Sequence, residues 1–419
     1  MPGSDGVYSI LESGVRTRDE AFERIYEQAK GLKRQNGSLA PAPGVRVDIA
    51  VLDSGVVSQG DDYFGDRVVN SGDAQGGYRP KKKCDECNGT GATEDGECEK
   101  CKGKGQVFGE FISFGTPSLT RGLPATQGQH GSHVTSIAAS GTAMIKIIDV
   151  QTGSTQEGGK VELPVWVTAF KWAVDQGARI VNVSVVCPWS DVQIKSIVKN
   201  NTGVLFLATS GNANTELTAT YRTQNGFDEG NVILVGGCAR NGTKQDQRGY
   251  GSGIDIFVPS VNVPGLISKR FAQEIYYQRD LKERNNQDKK LDKDREFIAG
   301  IKQKLQLDPD NARLKSQLAR EEKRLADGVG KLPQVPASAS VYPLNELAQR
   351  ISDSGVSFGI PMVANVAAKM MLIMPNITPK EVISVMKSNA EICEAGPVLD
   401  PAECYKAALE MRKQWITRI

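Results

Sequence analysis

Histidine is nearly missing from this chain, with two in 419 residues. Any step that needs an imidazole to move a proton near neutrality is therefore confined to His130 or His133. Aromatic residues are scarce at 6%, and they do not interleave with basic residues as a base-stacking surface requires. Net charge is close to nil, 51 Lys and Arg against 49 Asp and Glu, so bulk charge selects no polyanion or anionic membrane. No nucleic-acid partner is expected. The opening residues MPGSDGVYSILESGVRTRDE lack the apolar run of about 7–15 residues that a secretory signal requires. No stretch approaches the ~20 apolar residues of a bilayer span. The expectation is a cytoplasmic protein without membrane insertion. Cysteine is also sparse, eight in all, and four of these fall between positions 84 and 101. That clustering favours thiols and a metal site over a disulfide framework.

What is present is an alternation of strand-like and helix-like segments. VRVDIAVLDSGV at 45–56 reads as a buried strand ending at Asp53. Further strands are expected at 144–150, 179–186, 203–210 and 231–237, strand or extended chain at 253–260, and helices at 17–34, 130–140, 164–176 and 190–200. The fold class is therefore α/β, a mostly parallel sheet covered by helices on both faces. In such folds active groups gather at the carboxyl ends of strands. The apolar run at 357–374 reads as a central helix. Thr378-Pro379 with Glu381, and Asp400-Pro401 with Glu403, supply start signals for two more helices.

Two segments interrupt this rhythm. Residues 78–110 are rich in Gly, Lys and Cys, whereas 269–327 carry 16 basic and 12 acidic residues with sparse apolar positions. Leu291, Ile298 and Leu305 recur every seventh residue, and Leu314, Leu318 and Leu325 offer a matching seam after DPDN at 308–311. A helical hairpin is the preferred reading and a flexible charged insert its rival. The expected organisation is a helical extension over 1–44 and a first core part over 45–260 that contains the 78–110 insert. A charged insert over 261–340 and a second core part over 341–419 follow.

Three local strings carry chemistry: AVLDSGV around Asp53, GQHGSHVTSIAAS around His130, and DSGVSFGIPMVANVAA around Ser357. A seryl hydroxyl needs a base to take its proton as it attacks a carbonyl, and an imidazole can return that proton to a leaving amine. A buried carboxylate fixes the imidazole tautomer. The order Asp, His, Ser and these neighbourhoods resemble the subtilisin-like (subtilase) serine peptidases over most of 45–260 and 345–410. The resemblance implies catalytic roles for Asp53, His130 and Ser357, and peptide or protein substrates cleaved through an acyl-enzyme. It also implies packing rather than catalysis for His133. ATSGNAN at 208–214 is similar to the family's oxyanion string and places the donor on Asn212, with Asn214 as the other candidate. Where family members have Ser-Leu-Gly, this chain has Ser184-Val185-Val186. Where they have GTSMAxP, it has Val356, Phe358 and Gly359 around Ser357 and retains Pro361. A reshaped pocket and restricted specificity are expected. Many subtilases bind calcium, but no acidic loop here is as clear as the cysteine cluster, so calcium stays open.

That cluster consists of two CxxCxGxG repeats, Cys84 with Cys87 and Cys98 with Cys101. Two such pairs can complete a tetrahedral Zn–S₄ site, and the repeats are similar to half of the zinc region of DnaJ-type chaperones. A closed site of this kind is structural. The zinc projection and the charged hairpin are also candidate surfaces for a protein partner. The alternative reading is accordingly a protein-binding or chaperone-like module on a weakly active or repurposed subtilase body.

Overall fold

The structure is a computed structural model. It describes residues 19–56, 67–73, 129–152, 161–267, 269–332, 334–341, 343 and 350–418, with short pieces of 81–108. Two compact units emerge, one formed by residues 1–268 and 349–419, the other by 269–348.

In the first unit α1 (Glu20–Lys30) precedes β1 (Val47–Asp53) and β2 (Val68–Asp73). The short strands β3 (Lys81–Lys83), β4 (Ala92–Thr93), β5 (Gly96–Glu97) and β6 (Gln106–Phe108) belong to the cysteine segment. Then come α2 (Gln129–Ala138), β7 (Ile145–Gln151), α3 (Leu163–Asp175), β8 (Ile180–Val183), α4 (Val192–Asn200) and β9 (Leu205–Thr209). A short α5 (Ala219–Gln224), β10 (Val232–Cys238), β11 (Ile256–Pro259) and β12 (Val263–Leu266) lead to the second unit. That unit contains α6 (Lys269–Leu307) and α7 (Ala312–Val329). The first unit resumes with β13 (Arg350–Asp353), α8 (Val356–Ile373), α9 (Pro379–Ser388), β14 (Glu391–Cys393), β15 (Gly396–Val398) and α10 (Pro401–Arg418).

Nine strands form one sheet in the order β14-β15-β11-β10-β9-β8-β1-β7-β2. Every pairing in it is parallel except β14 with β15. Alternation along β1 explains the two covered faces. Ile49 and Val51 join the core shared with α2, α8 and α10, whereas Ala50 and Leu52 face the core under α3 and α4. Strand β8 ends at Val183, short of the expected 186, because no neighbour continues the ladder beyond it.

The central helix α8 is apolar on all sides because all sides are covered. By length and hydropathy alone it could cross a membrane, yet 94% of its apolar window is buried inside the protein. Gly359 admits the close approach of Val258, since a Cβ there would collide with that side chain. At α9 the capping box is complete: Thr378 Oγ1 accepts from Glu381 N–H, and Glu381 accepts from Thr378 N–H.

Helix α1 is integral to the first unit. Phe22, Ile25, Tyr26 and Ala29 are buried, and Asp19 caps the helix by accepting from Phe22 N–H at 3.0 Å. The other oxygen of Asp19 meets Lys369 Nζ of α8 at 2.7 Å, and Tyr405 OH of α10 donates to it at 3.2 Å. Neither charged side chain is more than 2% exposed.

The second unit is a pair of packed helices. Leu291, Ile298 and Ile301 are buried on α6, and Asn311 caps α7. Two of the three heptad positions expected on α6 thus lie in its seam. The chain leaves the first unit after β12 and re-enters it at β13, and these two strands pair antiparallel with Leu266 opposite Arg350.

Candidate active site

The sheet brings the three strings to one region through local fits. β1 lies inside the sheet between β7 and β8 and delivers Asp53 at its carboxyl end, 1% exposed. Helix α2 starts beside it. Gly131 N–H donates to Ser54 Oγ at 3.1 Å, and any Cβ at Gly131 would strike the Gly55 carbonyl. Only glycine lets the helix start this close to the strand end. His130 Nδ1 thereby comes to 2.8 Å and 3.0 Å from the two carboxylate oxygens of Asp53. Asp53 Oδ1 also accepts from Ser54 N–H at 2.7 Å.

Burial pulls the His130 pKa down. The charge and hydrogen bond of Asp53, followed by the charge of Asp353, more than offset it, and the net displacement is upward from 6.5. The imidazole side chain remains 20% exposed.

Ser357 enters from the first turn of α8. Gly355 N–H donates to Ser260 O at 2.9 Å and fixes the turn that precedes it. The residues on either side of Ser357 locate it. Val356 N–H donates to Asn212 Oδ1 at 3.0 Å, while the Phe358 ring lies 5.1 Å from that of His130. Ser357, between Val356 and Phe358 in the chain, is half-buried. Among the described residues no hydrogen bond yet joins Ser357 Oγ to His130, and such contacts often tighten only when substrate binds. Holding Asn212 by its oxygen leaves the NH₂ group as the free donor. Asn214, the other candidate in the string, is exposed as Asn212 is, and the bond from Val356 N–H singles out Asn212.

His133 has a different environment. It is 1% exposed and stacks on Phe358 at 4.3 Å, and a Cβ at Gly265 would collide with its ring. Burial pushes its pKa down to about 4, so it stays neutral and packs. Phe358, one of the departures noted at the nucleophile string, lies against both imidazole rings.

Away from this region, Cys84, Cys87 and Cys98 are buried with their sulfurs within 4.8 Å of one another. They form the one such group of potential metal ligands among the described residues. Cys84 Sγ and Cys98 Sγ are 3.8 Å apart. That is far beyond a disulfide bond of about 2.0 Å. It matches the ~3.8 Å between tetrahedral sulfurs that each lie about 2.3 Å from a zinc ion. The donor set fits a metal. Cys101 lies outside the described residues.

A strand-end carboxylate bonded to an imidazole, beside a serine at a helix start, can perform acyl transfer. The subtilase family model matches residues 44–408. The chain belongs to the subtilase family.

Among curated subtilases, Subtilisin BL of Lederbergia lenta is 28% identical over 160 residues, covering 36% of this chain and 58% of that protein. The alkaline protease of Shouchella clausii shows the same identity over 41% of its length. The alignments therefore take in less than two thirds of the relatives they match. Among solved structures, the prenylagaramide maturation protease PagA aligns with a TM-score of 0.47 at 15% identity, covering 94% of this chain and 98% of that one. A cold-adapted subtilisin-like serine proteinase gives a TM-score of 0.44 at 15% identity, covering 88% and 95%.

Two parts of this arrangement escape the motif reading. Ser54 acts as the bracket for α2, and its only sequence signal is its place beside Asp53. Asp353 lies inside the quoted nucleophile string, yet its influence on His130 depends on a strand pairing with no local pattern.

Proposed function

We propose that this subtilase is a serine endopeptidase that cleaves protein or peptide substrates through an acyl-enzyme, with restricted specificity. The observation that carries the reading is the two-oxygen contact between Asp53 and His130 Nδ1. It is supported by the two neighbours of Ser357, of which Val356 bonds to Asn212 and Phe358 lies against the imidazole. Ser357 Oγ attacks the substrate carbonyl carbon while its proton passes to His130 Nε2. Asp53 keeps the other imidazole proton on Nδ1 and stabilises the imidazolium. The tetrahedral oxygen takes donors from Asn212 Nδ2 and Ser357 N–H, a contribution of about 3–4 kcal/mol for one such donor. His130 then protonates the leaving amine, and water attacks the ester by the same proton route. Restricted specificity is supported by Val186, which projects a branched side chain 84% exposed just past the end of β8.

The test is covalent labelling. A fluorophosphonate should add one mass increment to the wild-type chain and none to Ser357→Ala, as read by intact-mass spectrometry. Equal labelling of both would overturn the assignment. The pH profile supplies a second check. Only neutral His130 can take the proton, and its pKa is displaced upward. The rate should therefore fall as pH drops, with the acid limb of kcat/KM above 6.5. A limb below 6.5 would contradict the role given to Asp53.

We also propose that Cys84, Cys87, Cys98 and Cys101 hold a structural zinc ion. The metal would supply the cross-link that this small projection lacks apolar material to provide. Thiolate ligands of this kind suit the cytoplasmic setting expected from the sequence. Atomic emission should find one zinc per chain, lost in Cys84→Ser. Fluorophosphonate labelling should persist in that variant, because a closed four-sulfur site offers no position for a reactant. Absence of zinc from protein purified without chelators would refute the proposal.

A further inference from the structure

We propose that Asp353 is a specificity-determining carboxylate that reads a cationic side chain on the leaving-group side of the scissile bond. The inference rests on the peptidase reading above. Asp353 closes β13, four residues before Ser357, and pairs across the hairpin with Val263 of β12. Strand β12 packs on α2, the helix that carries His130 and His133. Gly265 marks how tight that packing is, since a Cβ there would enter the His133 ring. The hairpin therefore lies along the base-bearing helix, with Asp353 at its nucleophile end.

Asp353 is exposed, and its Oδ1 accepts from Ser354 N–H at 2.7 Å. Among the described residues no cation pairs with it. Its charge is nevertheless felt by both imidazoles, favouring the protonated form of each. Asp53 from β1 is the other charged group acting on His130, and His130 in turn acts on His133 of the same helix. Asp53 is unavailable to a substrate, being 1% exposed with both oxygens on the imidazole. Asp353 is thus the acid left open.

Its side of the cleft follows from the chemistry. Asn212 marks where the oxyanion lies, with its oxygen held by Val356 N–H and its nitrogen 3.6 Å from where a Cβ at Gly355 would stand. His130 marks where the leaving nitrogen lies, because that nitrogen must receive its proton. Asp353 lies on a strand paired with β12, which packs on the helix that carries His130, so its carboxylate stands on the leaving-group side. Lysine or arginine immediately after the scissile bond would meet Asp353, and glutamate would be repelled. An exposed ion pair of this kind is worth up to about a fivefold change in affinity.

The experiment uses two labelled, alanine-rich decapeptides identical except for a central Lys or Glu. Binding to Ser357→Ala is read by fluorescence anisotropy, and cleavage by wild type is mapped by mass spectrometry. The Lys peptide should bind about fivefold more tightly and be cut immediately before the lysine, with the difference in KM rather than kcat. The preference should vanish in Ser357→Ala/Asp353→Asn and reverse in Ser357→Ala/Asp353→Lys. Equal affinities, no binding by either peptide, or a lysine preference that survives Asp353→Asn would overturn the proposal. Cleavage indifferent to the central charge overturns it while leaving the peptidase reading intact. Charge-dependent binding without any cleavage overturns it together with the peptidase reading, since no scissile bond then gives the lysine a leaving-group side.

Discussion

Asp53→Asn is expected to lower kcat by about ten-thousandfold near neutral pH while the protein stays folded. The reason lies in how the carboxylate is already committed. Ser54 N–H donates to Oδ1 at 2.7 Å, so an asparagine would keep its oxygen there. Its NH₂ group would then occupy the place of Oδ2, 3.0 Å from His130 Nδ1. A donor at that point obliges Nδ1 to accept, and the ring proton moves to Nε2. That is the nitrogen that must take the proton from Ser357, so the base is disabled without any change of shape. The measurement is kcat on an unfolded protein substrate, with circular dichroism to verify the fold. A folded variant within threefold of wild-type kcat would remove Asp53 from the proton path.

Asp19→Asn is expected to destabilise the protein by about 3–5 kcal/mol, measured as a lowered midpoint in urea at an unchanged slope. Lys369 is wholly buried, and its ammonium is matched by Asp19 Oδ2 at 2.7 Å. Burial alone pulls the lysine pKa down, and the charge of Asp19 is the largest influence opposing that pull. Without the carboxylate the ammonium is left uncompensated in a dry interior. The double variant Asp19→Asn/Lys369→Met leaves neither charge behind and should regain most of the loss, since a buried pair exchanged for apolar volume is often close to neutral. A single variant within about 1 kcal/mol of wild type, well below that range, would show that the pair does not hold α1 in place.

The sheet strands and their order of use were legible because each apolar run is bounded by glycine or polar turn residues. The meeting of Asp53 with His130 was legible because one ends a strand and the other begins a helix, each inside a short characteristic string. The pair formed by Asp19 and Lys369 was not, because no local pattern links residues at opposite ends of a chain. The β12–β13 hairpin was hidden for a related reason. Its strands are four residues each and are separated by an entire helical unit. Strand β2 was missed because VVNSGD lacks the sustained apolar run of its neighbours. Helix α1 was placed near its observed span, but the reading of 1–44 as an extension overlooked how much of it the core requires. Phe22 is fully buried, and Arg412 reaches back to the Pro41 carbonyl.

Because Leu266 and Arg350 face each other across two paired strands, residues 267–349 begin and end at one spot on the fold. The entropic penalty for closing such an excursion grows only with the logarithm of its length, about 0.6 kcal/mol per doubling. Evolution could therefore lengthen, trim or exchange that cassette at little thermodynamic expense, without redrawing the catalytic end of the sheet. A lineage free to vary this inserted unit can acquire new habits of recognition while inheriting its chemistry unaltered.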